Sequence, residues 1–123
     1  MIPTGRSSGW AGAPAPGQLV TVDGSKVGGS LAEHVEALAQ SLDAKVTWTV
    51  GSEEDLVDGL EAGDLDLAIG GMTDATPWST RVAVTRGYES IPGAKAPVVV
   101  LLPLGENAWQ AAIEGYLDKE AAR

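Results

Sequence analysis

The sequence contains no cysteine, a single histidine and no long apolar run. Without cysteine, a disulfide, a thiolate nucleophile and a cysteine-ligated metal are all excluded. The one histidine, His34, stands beside Glu33 near a predicted helix start. A surface role is favoured over a general base or metal ligand, because no second His or Cys is present to complete a site. No apolar stretch approaches the roughly 18 residues that a membrane span requires, so direct membrane insertion is not expected.

Positive charge is also scarce. Eight Lys and Arg stand against 17 Asp and Glu, which gives a formal net charge of −9. Nucleic acids and anionic membranes are bound by clustered Lys and Arg, so neither is an expected partner. The sequence also lacks a G-x-S-x-G elbow, a Walker loop and a dinucleotide fingerprint. We therefore expect no catalytic residues, no metal and no cofactor.

What is present is an alternation of strand and helix patterns along a chain of 123 residues, the length of one domain. Strands are predicted at 18–22, 45–50, 65–70, 81–85 and 97–102, and helices from Ser30, at 52–62 and from Asn107. This order predicts a three-layer α/β sandwich, with a mostly parallel sheet of about five strands flanked by helices. Residues 1–17 are rich in Gly, Ser, Pro and Ala, and are predicted to form an irregular arm ahead of a single lobe at 18–123.

The most informative segment is 51–78. Ser52 and Asp55 form a capping-box pair at the start of a helix, and Gly63 can end it in the left-handed conformation. The apolar run that follows has the pattern of a strand covered on both faces. Gly70 and Gly71 then fall at the carboxyl end of that strand, where ligands bind in open α/β sheets.

This segment resembles the first lobe of the solute-binding proteins of ABC transporters, in the polar amino-acid family. The matching residues are, in order, Gly63, Asp66, Gly70, Gly71, Met72, Thr73, Thr76 and Pro77. The resemblance implies one lobe of a type II periplasmic-binding fold on the extracellular or periplasmic side of the cell envelope. The first ten residues lack the apolar core of a signal peptide, so any export leader would have been removed.

Two departures from the family pattern concern the chain ends and the second lobe. Family members begin with a strand, for which either Gly9-Trp10 or residues 18–22 could stand in. They also have two lobes joined by crossing strands. Here a loop after Tyr88 passes directly to PVVVLL at 97–102, which resembles the strand that returns to the first lobe. We therefore expect that the second lobe is deleted and the ends rejoined.

The candidate ligand-binding residues are Gly70, Gly71, Met72, Thr73, Thr76, Trp78 and Arg81. In the family, backbone groups around GGMT and the Thr hydroxyl bind an amino acid, and an Arg after the TP step clamps its carboxylate. The family's Arg position holds Trp78 or Ser79 here, depending on the alignment, so this clamp is displaced or absent.

Each candidate also has a structural alternative. The glycines could allow close packing, and the threonines could serve as turn or cap residues. Trp78 could be buried against a partner, and Arg81 could form a surface ion pair.

Two functions remain compatible with the sequence. In the first, the chain binds a small polar solute such as an amino acid at the 70–78 edge, with a second copy serving as the missing lobe. In the second, it is a degenerate lobe retained as a protein–protein interaction module. Half a cleft encloses too little of a small ligand for tight binding, which favours either a homodimer or lost binding.

Overall fold

The computed structural model of the protein describes residues 7–13, 20–23, 26–41, 45–73, 76–88 and 96–121. Its strands are β1 (Ser7–Gly12), β2 (Thr21–Asp23), β3 (Lys26–Gly28), β4 (Lys45–Val50), β5 (Leu67–Ile69), β6 (Ala83–Val84) and β7 (Leu101–Leu102). Its α-helices are α1 (Ser30–Ser41), α2 (Glu53–Ala62) and α3 (Asn107–Ala121), and a short 3₁₀ helix spans Pro77–Thr80. Within the described residues, none of these helices combines the length and apolar character needed to cross a membrane.

Five of the strands form one sheet in the order β4-β1-β5-β7-β6. β1 is parallel to both β4 and β5, and β7 is antiparallel to its neighbours β5 and β6. Four strands therefore run in one direction and one runs against them. This confirms the predicted mostly parallel sheet of about five strands. The remaining strands, β2 and β3, form a separate antiparallel hairpin.

Helices cover both faces of the sheet because successive strand residues point to opposite sides. On one face, Trp10 and Leu67 pack with α1 and α3. On the other face, Ala11 and Ala68 pack with α2, which contributes Leu56, Val57 and Leu60. The predicted three-layer α/β sandwich is thus confirmed, with one apolar core on each side of the sheet.

The strand β1 corrects the prediction of an irregular arm over residues 1–17. Ser7–Gly12 pairs on both sides, with β4 and with β5, and Trp10 is fully buried. The segment is poor in large apolar residues because the chain packs closely around it. A Cβ on Gly9 would lie 2.9 Å from the carbonyl oxygen of Asp64. Of the two alternatives for the first strand, Gly9-Trp10 is the one in the sheet. The rest of 1–17, apart from Ala13, lies outside the described residues.

The local helix signals are confirmed. The Ser52 hydroxyl accepts a hydrogen bond from the Asp55 amide, and the Asp55 carboxylate accepts one from the Ser52 amide. Gly63 ends α2 with φ of 83°. The strands after α2 are shorter than predicted, because their flanking residues bond elsewhere. For example, the Leu65 amide donates to the Gly59 carbonyl at 3.2 Å, and the Val100 amide donates to the Thr85 hydroxyl at 3.0 Å.

Tyr88 and Val98 face each other as an antiparallel pair. The Tyr88 amide donates to the Val98 carbonyl at 2.9 Å, and the Val98 amide donates to the Tyr88 carbonyl at 3.0 Å. Val98 also pairs with Thr73, and the Val99 amide donates to the Met72 carbonyl at 3.0 Å. The two sides of the 89–97 connection are therefore joined to each other and to the segment that follows β5.

Candidate functional site

The parallel strands β1, β4 and β5 end side by side, at Gly12, Val50 and Ile69. Beyond the regular ladder the Gly51 amide donates to the Gly12 carbonyl at 3.4 Å, and the Ala13 amide donates to the Ile69 carbonyl at 3.0 Å. We call these strand ends, together with Gly70–Thr73, the carboxyl edge. Ligands of open α/β sheets bind at this end of the strands.

Gly70 has a packing role at the carboxyl edge. The residue is buried, and a Cβ there would lie 2.8 Å from the sulfur of Met72 and 3.4 Å from the Cβ of Ala13. The missing side chain lets Met72 fold back against the strand end. Gly71 is only half-buried. The structural alternative for the glycines therefore describes Gly70, and Gly71 is the more exposed of the two.

Met72 and Thr73 lead away from β5. The Met72 side chain is 3% exposed and belongs to the core beneath α2, so only its backbone is available to the carboxyl edge. Thr73 is half-buried, and its carbonyl accepts a hydrogen bond from the Thr76 amide at 3.0 Å. Thr76 is buried, and its hydroxyl accepts a bond from the Trp78 amide at 3.4 Å. Thr76 thus caps the 3₁₀ helix, as its structural alternative predicts.

Trp78 leans on α2. It is half-buried against the core beneath that helix, and its indole Nε1 donates to Oε1 of Glu53 at 3.0 Å. Glu53 is the first residue of α2 and follows β4 by a short link, so this pair lies next to the carboxyl edge. No sequence pattern connects Glu53 with Trp78, which are 25 residues apart.

Arg81 forms ion pairs with two carboxylates of α2. Its Nη2 donates to Oδ1 of Asp58 at 2.8 Å and also bonds to the carboxylate of Glu61. The bond from Arg81 holds the pKa of Glu61 below its ordinary value, and the same bond raises the pKa of Arg81.

The position of these carboxylates shows where the guanidinium lies. Asp58 and Glu61 follow Glu53 by five and eight positions. At the rise of an α-helix they stand about 7.5 Å and about 12 Å further along α2 than the pair with Trp78. Since α2 connects the carboxyl end of β4 to the start of β5, it runs away from the carboxyl edge. The surface ion pair that the sequence offered as an alternative is therefore the geometry found for Arg81.

A second arginine was missed by sequence reasoning. Arg86 pairs with the carboxylates of Asp118 at 3.0 Å and Glu114 at 3.6 Å, and the nearby charge of Asp118 raises its pKa. The Tyr88 hydroxyl donates to Oδ1 of Asp118 at 3.0 Å and lies 3.2 Å from the Glu114 carbonyl oxygen. Burial, followed by this bond, raises the pKa of Tyr88. The spacing of Glu114 and Asp118 places both on one helix face, which was the available signal.

Asp66 and His34 have structural roles. The Asp66 carboxylate accepts a hydrogen bond from the Gly9 amide at 3.2 Å, and its carbonyl accepts one from the indole of Trp109 at 2.7 Å. Nδ1 of His34 lies 2.7 Å from the carbonyl oxygen of Ser30 within α1. Over the described part of the chain, no group of three or more His, Cys, Asp and Glu residues is arranged to hold a metal ion.

Comparison with known proteins gives matches in structure alone. No protein-family profile and no curated sequence matches the chain. The arginine-bound form of domain 1 from TmArgBP has a TM-score of 0.74 at 18% identity, with 94% of this chain and 93% of that chain covered. A Salmonella typhimurium periplasmic binding protein with high arginine specificity has a TM-score of 0.78 at 11% identity, with 96% and 94% covered.

A third similar structure is an ancestral amino-acid-binding protein, a precursor of cyclohexadienyl dehydratase. Its TM-score is 0.72 at 13% identity, with 96% of this chain and 90% of that chain covered. Identities this low establish the fold and leave the ligand open. The chain therefore has a single-lobe, periplasmic-binding-protein-like fold, as its resemblance to the solute-binding proteins implied.

Proposed function

We propose that this chain is a solute-binding domain of the ABC-transporter type, which binds a small polar solute such as an amino acid at the carboxyl edge. One observation carries the proposal. A similar structure, domain 1 from TmArgBP, is a single domain of nearly the same extent and has arginine bound. A lone domain of this fold can thus hold a ligand in that protein. This weakens the objection that half a cleft encloses too little of a solute.

The proposed contacts are the backbone of Gly70, Gly71 and Met72, and the side chains of Thr73 and Trp78. Thr76 would position Trp78 through the cap of the 3₁₀ helix, to which it already contributes a bond. Arg81 would act through the Trp78 ring, since the guanidinium lies over that ring and its Nη2 is bonded to the carboxylates of α2. The similar structures are named as binding proteins, which supports a binding role without catalysis.

Location and assembly are part of the same proposal. A similar protein from Salmonella typhimurium is periplasmic, which supports an extracellular or periplasmic site for this chain. Two copies facing each other across their carboxyl edges would enclose a solute more fully than one. The alternative is an interaction module that has lost its ligand. It is supported by the hydrogen bonds that Trp78 and Arg81 already make to α2.

A thermal-shift screen against amino acids, amines and organic acids tests the proposal. A ligand at a hundred times its dissociation constant adds roughly 2.7 kcal/mol to the free energy of unfolding. We expect at least one polar solute to raise the melting temperature in this way. If every solute in the screen leaves the melting temperature unchanged, the interaction module is the better description.

Matched threonine variants locate the binding site. Thr73→Val removes a half-buried hydroxyl at the carboxyl edge, whereas Thr47→Val makes the same change at an exposed position of β4. We expect the first substitution to reduce the ligand-induced shift and the second to preserve it. Light scattering with and without ligand then reports whether one or two copies are present.

A further inference from the structure

The two outer strands of the sheet differ in how their free sides are bonded. β6, at one side, has two residues, and α3 bonds to its backbone and to the chain that follows it. Nε2 of Gln110 donates to the Val84 carbonyl at 3.3 Å, and the Arg86 amide donates to Oε2 of Glu114 at 2.8 Å. These side chains occupy backbone groups to which a further strand could otherwise pair.

β4 is the outer strand on the opposite side of the sheet. It has six residues and pairs with β1, and among the described residues no second strand pairs with it. Its sequence, KVTWTV, contains no proline, glycine or acidic residue, and its β-branched residues favour the extended conformation. A long outer strand of this composition presents backbone groups to which another strand can pair.

One face of β4 is also exposed. Thr49 lies opposite Ala11 in the parallel register, and Ala11 belongs to the core beneath α2. Because side chains alternate along a strand, Lys45 and Thr47 point to the same face as Thr49. All three are exposed, so α2 leaves this face of β4 uncovered. The hairpin of β2 and β3 does not cover it either, since Val27 packs against the core on the other face.

The two ends of β4 carry opposite charges. Lys45 begins the strand, whereas Glu53, Glu54 and Asp55 follow its other end in the first turn of α2. A two-fold axis perpendicular to the sheet would place two β4 strands antiparallel, with the start of each beside the end of the other. The same operation keeps α2 on one face in both copies. Lys45 of each copy would therefore approach the acidic turn of the other, which favours a second copy of this chain as the partner.

We propose that two copies of the chain associate through β4, in an antiparallel pairing that joins their two five-stranded sheets into one. This dimer leaves both carboxyl edges open and pointing in opposite directions, so it does not depend on a bound solute. It differs in this respect from a dimer whose carboxyl edges face each other. A contact built on one strand from each copy is small, and we expect a dissociation constant in roughly the micromolar range. Below that concentration the chain is a monomer in which Lys45 remains exposed.

Sedimentation velocity over a concentration series, without added solute, tests the pairing. Thr47→Lys places like charges close together at the centre of the junction, whereas Thr21→Lys makes the same change at an exposed position of β2. We expect Thr47→Lys to raise the dissociation constant of the dimer at least about tenfold, and Thr21→Lys to change it less than about twofold. Circular dichroism reports whether each variant retains the fold. Equal effects of the two substitutions overturn the proposal.

A second pair of variants tests the charge contact. Lys45→Glu and Lys119→Glu change the net charge equally, and both positions are exposed, but Lys119 lies on α3, away from β4. We expect Lys45→Glu to raise the dissociation constant about fivefold or more, and Lys119→Glu to have a smaller effect. A larger effect of Lys119→Glu overturns the orientation in which the two copies are paired.

Two further outcomes would overturn the proposal. The first is a chain that stays monomeric at every concentration, up to about a hundred times the expected dissociation constant. The second is a dimer that forms only with a bound solute and is insensitive to Thr47→Lys. That dimer would be the one in which the carboxyl edges face each other, and the proposed function would stand while the pairing through β4 failed.

Discussion

The guanidinium carbon of Arg81 lies 5.7 Å from the centroid of the Trp78 ring, at the distance of a cation–π contact. Each residue also bonds to α2 at a different height, Trp78 to Glu53 and Arg81 to Asp58. Trp78 and Arg81 therefore attach the segment after β5 to α2 at two points along that helix. Residues that the sequence places in a ligand site are thus also part of the contact between two structural elements.

The contact between Arg81 and Glu61 predicts a pH dependence of stability. The bond from Arg81 lowers the pKa of Glu61 from its ordinary value of 4.5. A carboxyl group with a depressed pKa in the folded state stabilises the fold above its unfolded pKa, and this contribution is lost as the pH falls through the folded pKa. We expect Arg81→Gln to lower the free energy of unfolding at pH 7 and to have progressively less effect below about pH 4.5.

Urea unfolding at a series of pH values measures this difference. Lys45→Gln is the control, because it makes the same charge change at an exposed strand start. Its difference from the parent protein should not narrow in the same way on acidification. A difference between Arg81→Gln and the parent that is equal at pH 7 and pH 3 would contradict the role given to Glu61.

Gly59 and Gly115 predict opposite effects of alanine in two helices. Alanine usually stabilises a helix by roughly 0.5–1 kcal/mol relative to glycine. At Gly59 in α2, however, a Cβ would lie 2.6 Å from Cδ1 of Leu65, and at Gly115 in α3 nothing lies within 4 Å. We expect Gly59→Ala to reduce the free energy of unfolding by about 1–3 kcal/mol, and Gly115→Ala to raise it.

Chemical denaturation of both glycine variants provides the measurement. Because Gly115 is exposed, its substitution reports helix propensity alone. If Gly59→Ala were as stabilising as Gly115→Ala, Leu65 would have to move without cost, and the close packing of α2 against this residue would not be needed.

The hydroxyl of Thr85 replaces part of a strand ladder. Thr85 is buried, its hydroxyl accepts from the Val100 amide at 3.0 Å and donates to the Arg86 carbonyl at 2.9 Å. Thr85→Val would leave the buried Val100 amide without this acceptor. We expect a loss of about 1–3 kcal/mol in the free energy of unfolding. Thr85→Ser keeps the hydroxyl and should cost less than Thr85→Val. A larger loss for the serine variant would assign the effect to methyl packing.

Substitutions at two buried tryptophans distinguish the contribution of ring packing to stability from that of an indole hydrogen bond. The indole of Trp109 donates to the Asp66 carbonyl at 2.7 Å, whereas the indole nitrogen of Trp10 is buried with no partner among the described residues. Replacement by phenylalanine removes the same volume at both positions. We expect Trp109→Phe to lower the free energy of unfolding by about 1 kcal/mol more than Trp10→Phe does. The reverse order would show that ring packing around Trp10, 6.1 Å from Trp109, dominates.

Local signals explain which parts of the fold were predictable. Ser52, Asp55 and Gly63 are linked by contacts a few residues apart, so the bounds of α2 could be read directly. The strand β1 could not be recognised in this way. Its one large apolar residue, Trp10, packs against Trp48 and Leu67, which come much later in the chain. The small residues beside it reflect the closeness of other elements, which composition alone describes as a loop.

In the candidate site, too, the features set by residues close in sequence were predictable and the contacts between distant residues were not. The position of Gly70 and Gly71 at the end of a buried strand was predictable, because the apolar run before them is continuous. An ion pair was one of the two readings of Arg81, but its partners could not be predicted, since they lie 20 and 23 residues earlier in the chain. The spacing of Asp58 and Glu61 places both carboxylates on one face of α2. It contained no information about which basic residue would cross that face.

The pairing of Tyr88 with Val98 has a practical consequence for protein engineering. The chain leaves the sheet and returns to it through one doubly bonded residue pair, so the fold places little demand on what joins the two. The closure cost of a flexible connection rises by only about 0.6 kcal/mol for each doubling of its length. A fluorescent reporter with neighbouring termini could be grafted between these residues. Because Val98 also pairs with Thr73, such a graft would lie next to the proposed binding edge.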